Sequence, residues 1–374
     1  MNDKIILYPS NWLYNAGVVG FLKVIERIGE SVENFLKDDG GIEIDRNVFK
    51  KLANEAPKLY FGSTKEKVAS IVGKNSLYTN YLQRDWKNIF NTFIELLTNI
   101  SQTGNCDICG IGYYISSDVI SLQKNELEKL NKFRNGIRVL DIRLNALLAP
   151  SQKFSNSFWN NNITSIVCDL CGYILIHHHL ALTKLSDNSD NSEIFINAPS
   201  FKLMWYLNKY CSTIYEKEKI KSTKEILGIS LIEATSKLHI QLGRWEKMNI
   251  EVVSKYKERR DNKWEDKIDF FSLPAYLVDL LIDKEITSLL RQIGEFKILN
   301  MVLDERFKEI LQFGERILKI SLKPEKERGE YETKFLNNEI KLKRNKENLI
   351  KFSQNLFKLY ALIETKLKKE EVKI

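Results

Sequence analysis

Two short cysteine pairs of the same form constrain this chain more than any other feature. They read Cys106-Asp107-Ile108-Cys109-Gly110 and Cys168-Asp169-Leu170-Cys171-Gly172. Four soft thiolates suit tetrahedral Zn²⁺ and close its coordination shell, so the ion they imply is structural, not catalytic. The 58 residues between Cys109 and Cys168 exceed the usual zinc-ribbon gap of about 15–20. A metal there clamps two segments that are distant in sequence. The glycine after each second cysteine predicts a tight turn whose N–H groups point at the sulfurs. The competing reading is a redox CxxC. That motif normally occurs once, at a strand-to-helix turn in a βαβ unit, and no such unit is evident here.

Cysteine use of this kind fits a reducing compartment. The fifth cysteine, Cys211, stands beside Tyr210 on an apolar segment and reads as a small buried residue. The first residues have no signal-peptide layout, and the apolar runs fall far short of the ~20 residues that a membrane-spanning helix needs. These features predict a cytoplasmic protein with no membrane partner. With 43% hydrophobic and 28% charged residues in 374, the chain is neither a disordered tail nor a disulfide scaffold. Only 6 prolines accompany abundant Lys, Glu, Leu and Ile, which favours helix.

The expected fold class is therefore α+β, mostly helical. A mixed zinc-bearing N-terminal region (1–265) carries an inserted zinc module (about 102–175), and a C-terminal helical bundle follows (266–374). Ile5-Ile6-Leu7-Tyr8 and Ile42-Glu43-Ile44 read as strands. Helices are expected over Val18–Ile28, Arg46–Ala56 (ending at Pro57), Tyr78–Ile100, Phe201–Tyr210 and Leu227–Trp245. Glu126–Phe133 and Val139–Leu148 read as helix or buried segments, and Ile174–Leu182 is a long apolar run. Tyr256–Lys267 is highly charged and reads as a linker. Beyond Pro274, Ala275–Leu299, Leu303–Leu322 and Tyr331–Lys368 read as three long helices. The last carries apolar residues seven apart at Phe335, Leu342, Leu349, Leu356 and Ile363, a bundle or coiled-coil stripe.

Enzyme signatures are missing: no P-loop, dinucleotide fingerprint, HExxH or GxSxG occurs. His177-His178-His179 invites a metal or general-base reading. Adjacent helical residues point about 100° apart, so the three cannot share one ion. The net charge of +8 permits a nucleic-acid partner if the bases cluster. Lys65, Lys67 and Lys74, with Asn75, lie in a polar run. Arg259 and Arg260 mark the charged segment, and Lys341, Lys343, Arg344 and Lys346 lie on the last helix. Residues 331–374 hold 11 bases against 6 acids, enough to hold a phosphate backbone without reading sequence.

The run Tyr8-Pro9-Ser10-Asn11-Trp12-Leu13-Tyr14-Asn15-Ala16-Gly17-Val18-Val19-Gly20-Phe21-Leu22, the doubled CxxC, and Asn197-Ala198-Pro199-Ser200-Phe201-Lys202-Leu203-Met204-Trp205 together resemble a known family. It is the large subunit of type I CRISPR Cascade effector complexes, in its CXXC–CXXC branch. The C-terminal part is similar in character only. The resemblance implies a non-enzymatic role in RNA-guided recognition of double-stranded DNA. In such complexes the guide reads sequence by pairing and protein reads the short flanking duplex motif, the PAM. The implied partners are CRISPR RNA, target DNA, the backbone, handle-binding and small subunits, and a helicase-nuclease. The basic residues named above are the candidate DNA contacts. Some relatives make a separate small subunit from an internal start, and translation from Met248 here would give 127 residues. Two rival readings are a zinc-containing RNA-processing or RNA-modifying enzyme and a zinc-stabilised scaffold with no nucleic-acid contact.

Overall fold

The computed structural model describes residues 4–63, 87–116, 121–141, 164–184, 193–217, 250–260, 263–340 and 345–371. The protein is mostly helical with small sheets. It divides into two compact units, Met1–Asn208 with Val252–Phe271, and Lys209–Glu251 with Ser272–Ile374.

The first unit is built around α1 (Trp12–Arg27), which is buried on nearly every side from Leu13 to Ile25. A helix that is apolar all round belongs in a core. It begins at Trp12, earlier than its apolar run suggested, because Asn11 caps it: the Asn11 side chain accepts the Tyr14 N–H at 3.0 Å. Ahead of it, β1 (Lys4–Leu7) pairs antiparallel with β2 (Ile42–Asp45), setting Ile5 opposite Ile44. Next, α2 (Asn47–Phe61) runs through Pro57 where sequence predicted a stop. Proline strains a helix interior by roughly 3 kcal/mol. The residues beyond it, Leu59 and Tyr60, are buried and offset that cost.

The helix expected over Tyr78–Ile100 is described from residue 87, as α3 (Lys87–Leu96), and then gives way to β3 (Ile100–Gln102). β4 (Tyr113–Ile115) closes a hairpin with β3. α4 (Lys124–Arg138) is followed by β5 (Val139–Asp141), paired antiparallel with β6 (Thr164–Ile166). Val139–Leu148 thus opens as strand, and the rest of it lies outside the described residues. The apolar run Ile174–Leu182 is divided between two short helices, α5 (Asp169–Leu175) and α6 (His178–Ala181).

α1 packs against both short helices with almost no space between. A Cβ at Gly17 would stand 2.8 Å from the Ile174 carbonyl oxygen, and one at Gly20 would stand 2.0 Å from that of His177. Around this crossing, Phe21, Phe49, Tyr60, Phe90, Phe93, Phe133, Tyr173 and His177 form one ring cluster.

β7 (Thr183–Lys184), β8 (Glu193–Asn197), β9 (Ile250–Arg260) and β10 (Lys263–Leu273) form a four-stranded sheet in the order β10-β9-β8-β7. The described parts of the segment Tyr256–Lys267, which end β9 at Arg260 and start β10 at Lys263, are therefore strand, where its charge read as a linker. Hydrogen bonding to β8 and burial of Val252 and Val253 supply what composition concealed. α7 (Phe201–Lys217) follows β8. Buried Asn208 ties the two by donating to the Ile196 carbonyl at 2.8 Å and accepting the Ile196 N–H at 2.9 Å. The helix expected over Leu227–Trp245 and the internal start at Met248 fall outside the described residues.

In the second unit the expected helix Ala275–Leu299 is interrupted. It becomes α8 (Ala275–Ile282), α9 (Lys284–Ile293) and α10 (Phe296–Leu303). Asp283 is the reason for the first break, since its carboxylate accepts the Glu285 and Ile286 N–H groups at 3.0 and 3.1 Å as an N-cap. α11 (Phe307–Leu322) ends where expected but starts after a break at residues 304–306, because Leu303 closes α10. The last expected helix is two, α12 (Glu330–Glu339) and α13 (Lys346–Glu371), with Ile340 extended after the first. The seven-residue stripe survives on α13, where Leu349, Leu356 and Ile363 are buried. α11 packs along α13, and a Cβ at Gly314 would stand 2.8 Å from the Phe357 ring.

Candidate metal centre

The two cysteine pairs meet in the first unit. The Sγ atoms of Cys106, Cys109, Cys168 and Cys171 all lie within 4.8 Å of one another. Cys106, Cys168 and Cys171 are buried and Cys109 is half-buried. A tetrahedral site with Zn–S bonds of about 2.3 Å separates its sulfurs by about 3.8 Å. Cys109 Sγ stands 3.9 Å from Cys168 Sγ, across the two pairs and far from S–S bonding distance. The donor set and its spacing fit Zn²⁺, with all four thiolates as ligands.

The two halves reach this arrangement differently. Cys106 and Cys109 lie in the turn of the β3–β4 hairpin, where the Gly110 N–H donates to the Cys106 carbonyl at 2.9 Å. Gly110 has φ +71°, the left-handed conformation that closes the knuckle. Cys168 instead caps α5: its Sγ accepts the Cys171 N–H at 3.4 Å. The expected tight turn at the second glycine is not what Gly172 provides. Gly172 is helical, and it is small because α4 crosses there: a Cβ would stand 2.6 Å from the Ile137 carbonyl oxygen. A further donor crosses the halves, Cys168 N–H to Cys106 Sγ at 3.3 Å.

As free thiols, the four groups share their protons unevenly. Hydrogen bonds from Cys109, Cys168 and Cys171 pull Cys106 far below the ordinary thiol range. Donation to Cys106 raises Cys109, but donation from Cys168 and Cys171 outweighs it and leaves Cys109 at about 7. Donation to Cys106 and Cys109 pushes Cys168 up. Burial does the same to Cys171. A bound Zn²⁺ supplies the positive charge that lets all four exist as thiolates.

Supporting contacts surround the sulfurs. Asp169, wholly buried, accepts from Arg134 Nε at 3.0 Å and Nη2 at 2.6 Å, and from the Ile115 N–H at 2.9 Å. Arg138 donates to the Val167 carbonyl at 3.2 Å and its guanidinium lies 4.9 Å from the Tyr114 ring centre. On the other side stands Tyr14 of α1, fully buried. Its hydroxyl has no hydrogen-bond partner among the described residues. Burial raises its pKa well above the ordinary range, and the sulfurs of Cys171, Cys109, Cys168 and Cys106 raise it further.

The histidines take no part in the cluster. The His177 ring is buried in the core. Its Nδ1 lies 2.8 Å from the Tyr173 carbonyl and so carries the proton, which leaves Nε2 to accept from the Tyr60 hydroxyl at 2.7 Å. The Tyr173 hydroxyl completes the chain, 2.9 Å from that of Tyr60. Burial lowers the His177 pKa to about 3, so the ring is neutral. His178 is buried too, with Nδ1 2.8 Å from the Leu175 carbonyl.

Most of the candidate nucleic-acid residues fall beyond the part of the chain that the structure describes. Lys65, Lys67, Lys74, Asn75, Lys341, Lys343 and Arg344 lie outside the described residues. Arg259 and Arg260 end β9, and Lys346 is exposed at the start of α13. Cys211 is buried on α7 and is not a member of the cysteine cluster. No described helix is long and apolar enough to cross a membrane. Arg134, Asp169 and Tyr14 were not anticipated. Only Asp169 carried a sequence signal, its place between two predicted ligands.

Comparison of the chain with protein-family models, with curated proteins and with solved structures finds no match.

Proposed function

We propose that this chain is the large subunit of a type I Cascade surveillance complex. In this role it is a non-enzymatic protein that recognises the PAM of invading double-stranded DNA, assists duplex opening and helps recruit the helicase-nuclease. Its partners are CRISPR RNA, the target duplex, and the backbone, handle-binding and small subunits. The observation that carries the reading is the meeting of three segments scattered over residues 8–205. The Ser10 hydroxyl donates to the Ile108 carbonyl inside the first cysteine pair at 3.0 Å. Asn15 Nδ2 donates to Asn197 Oδ1 at 2.9 Å. The Tyr14 ring meets Phe201 edge-on, 6.4 Å between centres. Segments that carry one family likeness thus form one structural unit around the cysteines.

A closed four-thiolate set supports a scaffold role, since it leaves no open position for substrate. The basic residues near the start of α13 suit contacts to phosphate, which position nucleic acid without reading it. The test is a gentle affinity pull-down of the tagged full chain from its native cell. Its proteins would be identified by mass spectrometry and its RNA by sequencing. The expected result is a repetitive backbone subunit with short RNAs sharing one constant 5′ handle. Recovery of the chain alone, or with unrelated RNA, would overturn the reading.

A further inference from the structure

α1 and the stretch from α5 to His177 run side by side in step. Gly20 faces the His177 backbone and Gly17 faces that of Ile174. Each pair is three residues on from the last along both segments. The same step extended once more, toward the start of both, points Tyr14 at the level of Cys171, and of the four sulfurs that of Cys171 acts most strongly on the Tyr14 hydroxyl. Residues three apart on a helix share a face, so Tyr14 lies on the face that Gly17 presses onto α5.

Donor and acceptor needs match at that point. The Tyr14 hydroxyl is fully buried with no partner among the described residues. Buried polar groups are nearly always satisfied, so such an orphan calls for an explanation. The sulfurs are served unequally. Cys106 accepts the Cys168 N–H, and Cys168 accepts the Cys171 N–H. Cys109 is served by the backbone of Gly112. Cys171 alone accepts no backbone N–H among the described residues. Four thiolates around one Zn²⁺ leave two net negative charges in a buried place, with the Asp169 carboxylate close by. Hydrogen bonds to the ligand atoms are how such sites spread that charge and hold ligand orientation.

We propose that the Tyr14 hydroxyl donates a hydrogen bond to the Cys171 thiolate of the metal-loaded centre. It is a positioning residue that couples the seating of α1 to metal binding. Zinc fixes Cys171 as a thiolate ligand in place, and the seated hydroxyl holds that ligand's orientation, so the two events favour each other.

The test compares the wild-type full chain with Tyr14→Phe, which removes only the oxygen. Zinc affinity is read by competition with a chromophoric chelator, and ligand environment by the thiolate-to-metal absorption of the Co²⁺-loaded protein. A ten-fold or greater loss of zinc affinity and shifted Co²⁺ bands are expected in Tyr14→Phe. Unfolding in excess chelator should show the variant no less stable than wild type, while with zinc it is less stable. A merely structural tyrosine would move both forms alike. If the variant fails to fold, ¹¹³Cd-loaded wild type is examined by NMR for a hydroxyl proton coupled to cadmium through sulfur. An unchanged affinity and spectrum in Tyr14→Phe, or no such coupling, overturns the proposal and leaves the four-cysteine centre standing. If wild type binds neither Zn²⁺ nor Co²⁺, the centre itself is refuted.

Discussion

Arg134 grips both carboxylate oxygens of Asp169, at 3.0 and 2.6 Å, and the carboxylate has no exposed surface. Asp169 follows Cys168, Arg134 lies on α4, and the Ile115 N–H from β4 completes the set. One buried carboxylate therefore binds α4, the first cysteine hairpin and α5 together. Asp107 holds the same place in the first pair and is exposed. The two cysteine motifs are alike as words and unlike as parts.

Replacing one partner of a buried pair leaves the other charge unpaired in low dielectric, at a cost of about 3–5 kcal/mol. Asp169→Asn should lose about that much in urea denaturation of the zinc-loaded protein. Asp107→Asn should stay within about 0.5 kcal/mol of wild type, as exposed substitutions usually do. Equal losses at the two positions would contradict the asymmetry.

The glycines that follow each pair should separate in the same way. Gly110 needs a left-handed backbone and has open space around its missing Cβ. Asparagine adopts that conformation readily, so Gly110→Asn should cost little. Gly172→Asn must push Ile137 away and should cost about 1–3 kcal/mol. Chemical denaturation of the two variants side by side decides it, and a costlier Gly110→Asn would be the adverse result.

Metal removal should unfold more than the knuckles, because the cysteines join segments that are remote in the chain. Cys168 is both a candidate ligand and the cap of α5, so Cys168→Ser should cut zinc content sharply and lower the melting temperature. Elemental analysis and thermal melts with and without chelator measure both effects. A wild type that is metal-free and indifferent to chelator would contradict the zinc reading.

His177 adds a dependence on acid that is separate from the thiols. Its pKa in the fold is about 3 against an ordinary value of 6.5. Between those values the unfolded chain binds the extra proton and the folded chain does not. The contribution is present in full above about pH 6.5. It is lost as pH falls toward 3, at about 1.4 kcal/mol per pH unit. Zinc loss at low pH affects wild type and His177→Gln alike, so the difference between their stability–pH curves isolates the histidine. That difference should change steadily below pH 6.5, and a constant gap would argue against a buried neutral ring.

The cysteine cluster was legible because four thiols in matched pairs have few uses, and the helices of α11 and α13 were legible because apolar spacing repeats. What stayed hidden depends on partners. Pro57 should end a helix by local rules, but burial of Leu59 and Tyr60 carries α2 past it. The charges of Tyr256–Lys267 suggested solvent, and pairing beside β8 made strands of them. His177 invited catalysis until Tyr60, more than a hundred residues away in sequence, satisfied it. Tyr14 lies ahead of the helix expected from Val18, and only its place on the longer α1, opposite α5, gives its hydroxyl meaning.

The nucleic-acid reading makes its own demand on the last basic stretch. Phosphate contacts release counterions, and each one contributes about 0.9 to the slope of log affinity against log salt on duplex DNA. Neutralising Lys341, Lys343, Arg344 and Lys346 together should therefore weaken DNA binding of the assembled complex equally for all flanking motifs. It should also flatten the salt slope by up to about 3.6 if all four touch phosphate. Lys346 is exposed, as such a contact requires. Binding assays over a salt series, on duplexes that differ only in the motif beside the target, read both quantities. A changed motif preference with an unchanged salt slope would mean that these residues read bases, because phosphate contacts carry no sequence information. An unchanged affinity would remove this basic stretch from the DNA path altogether.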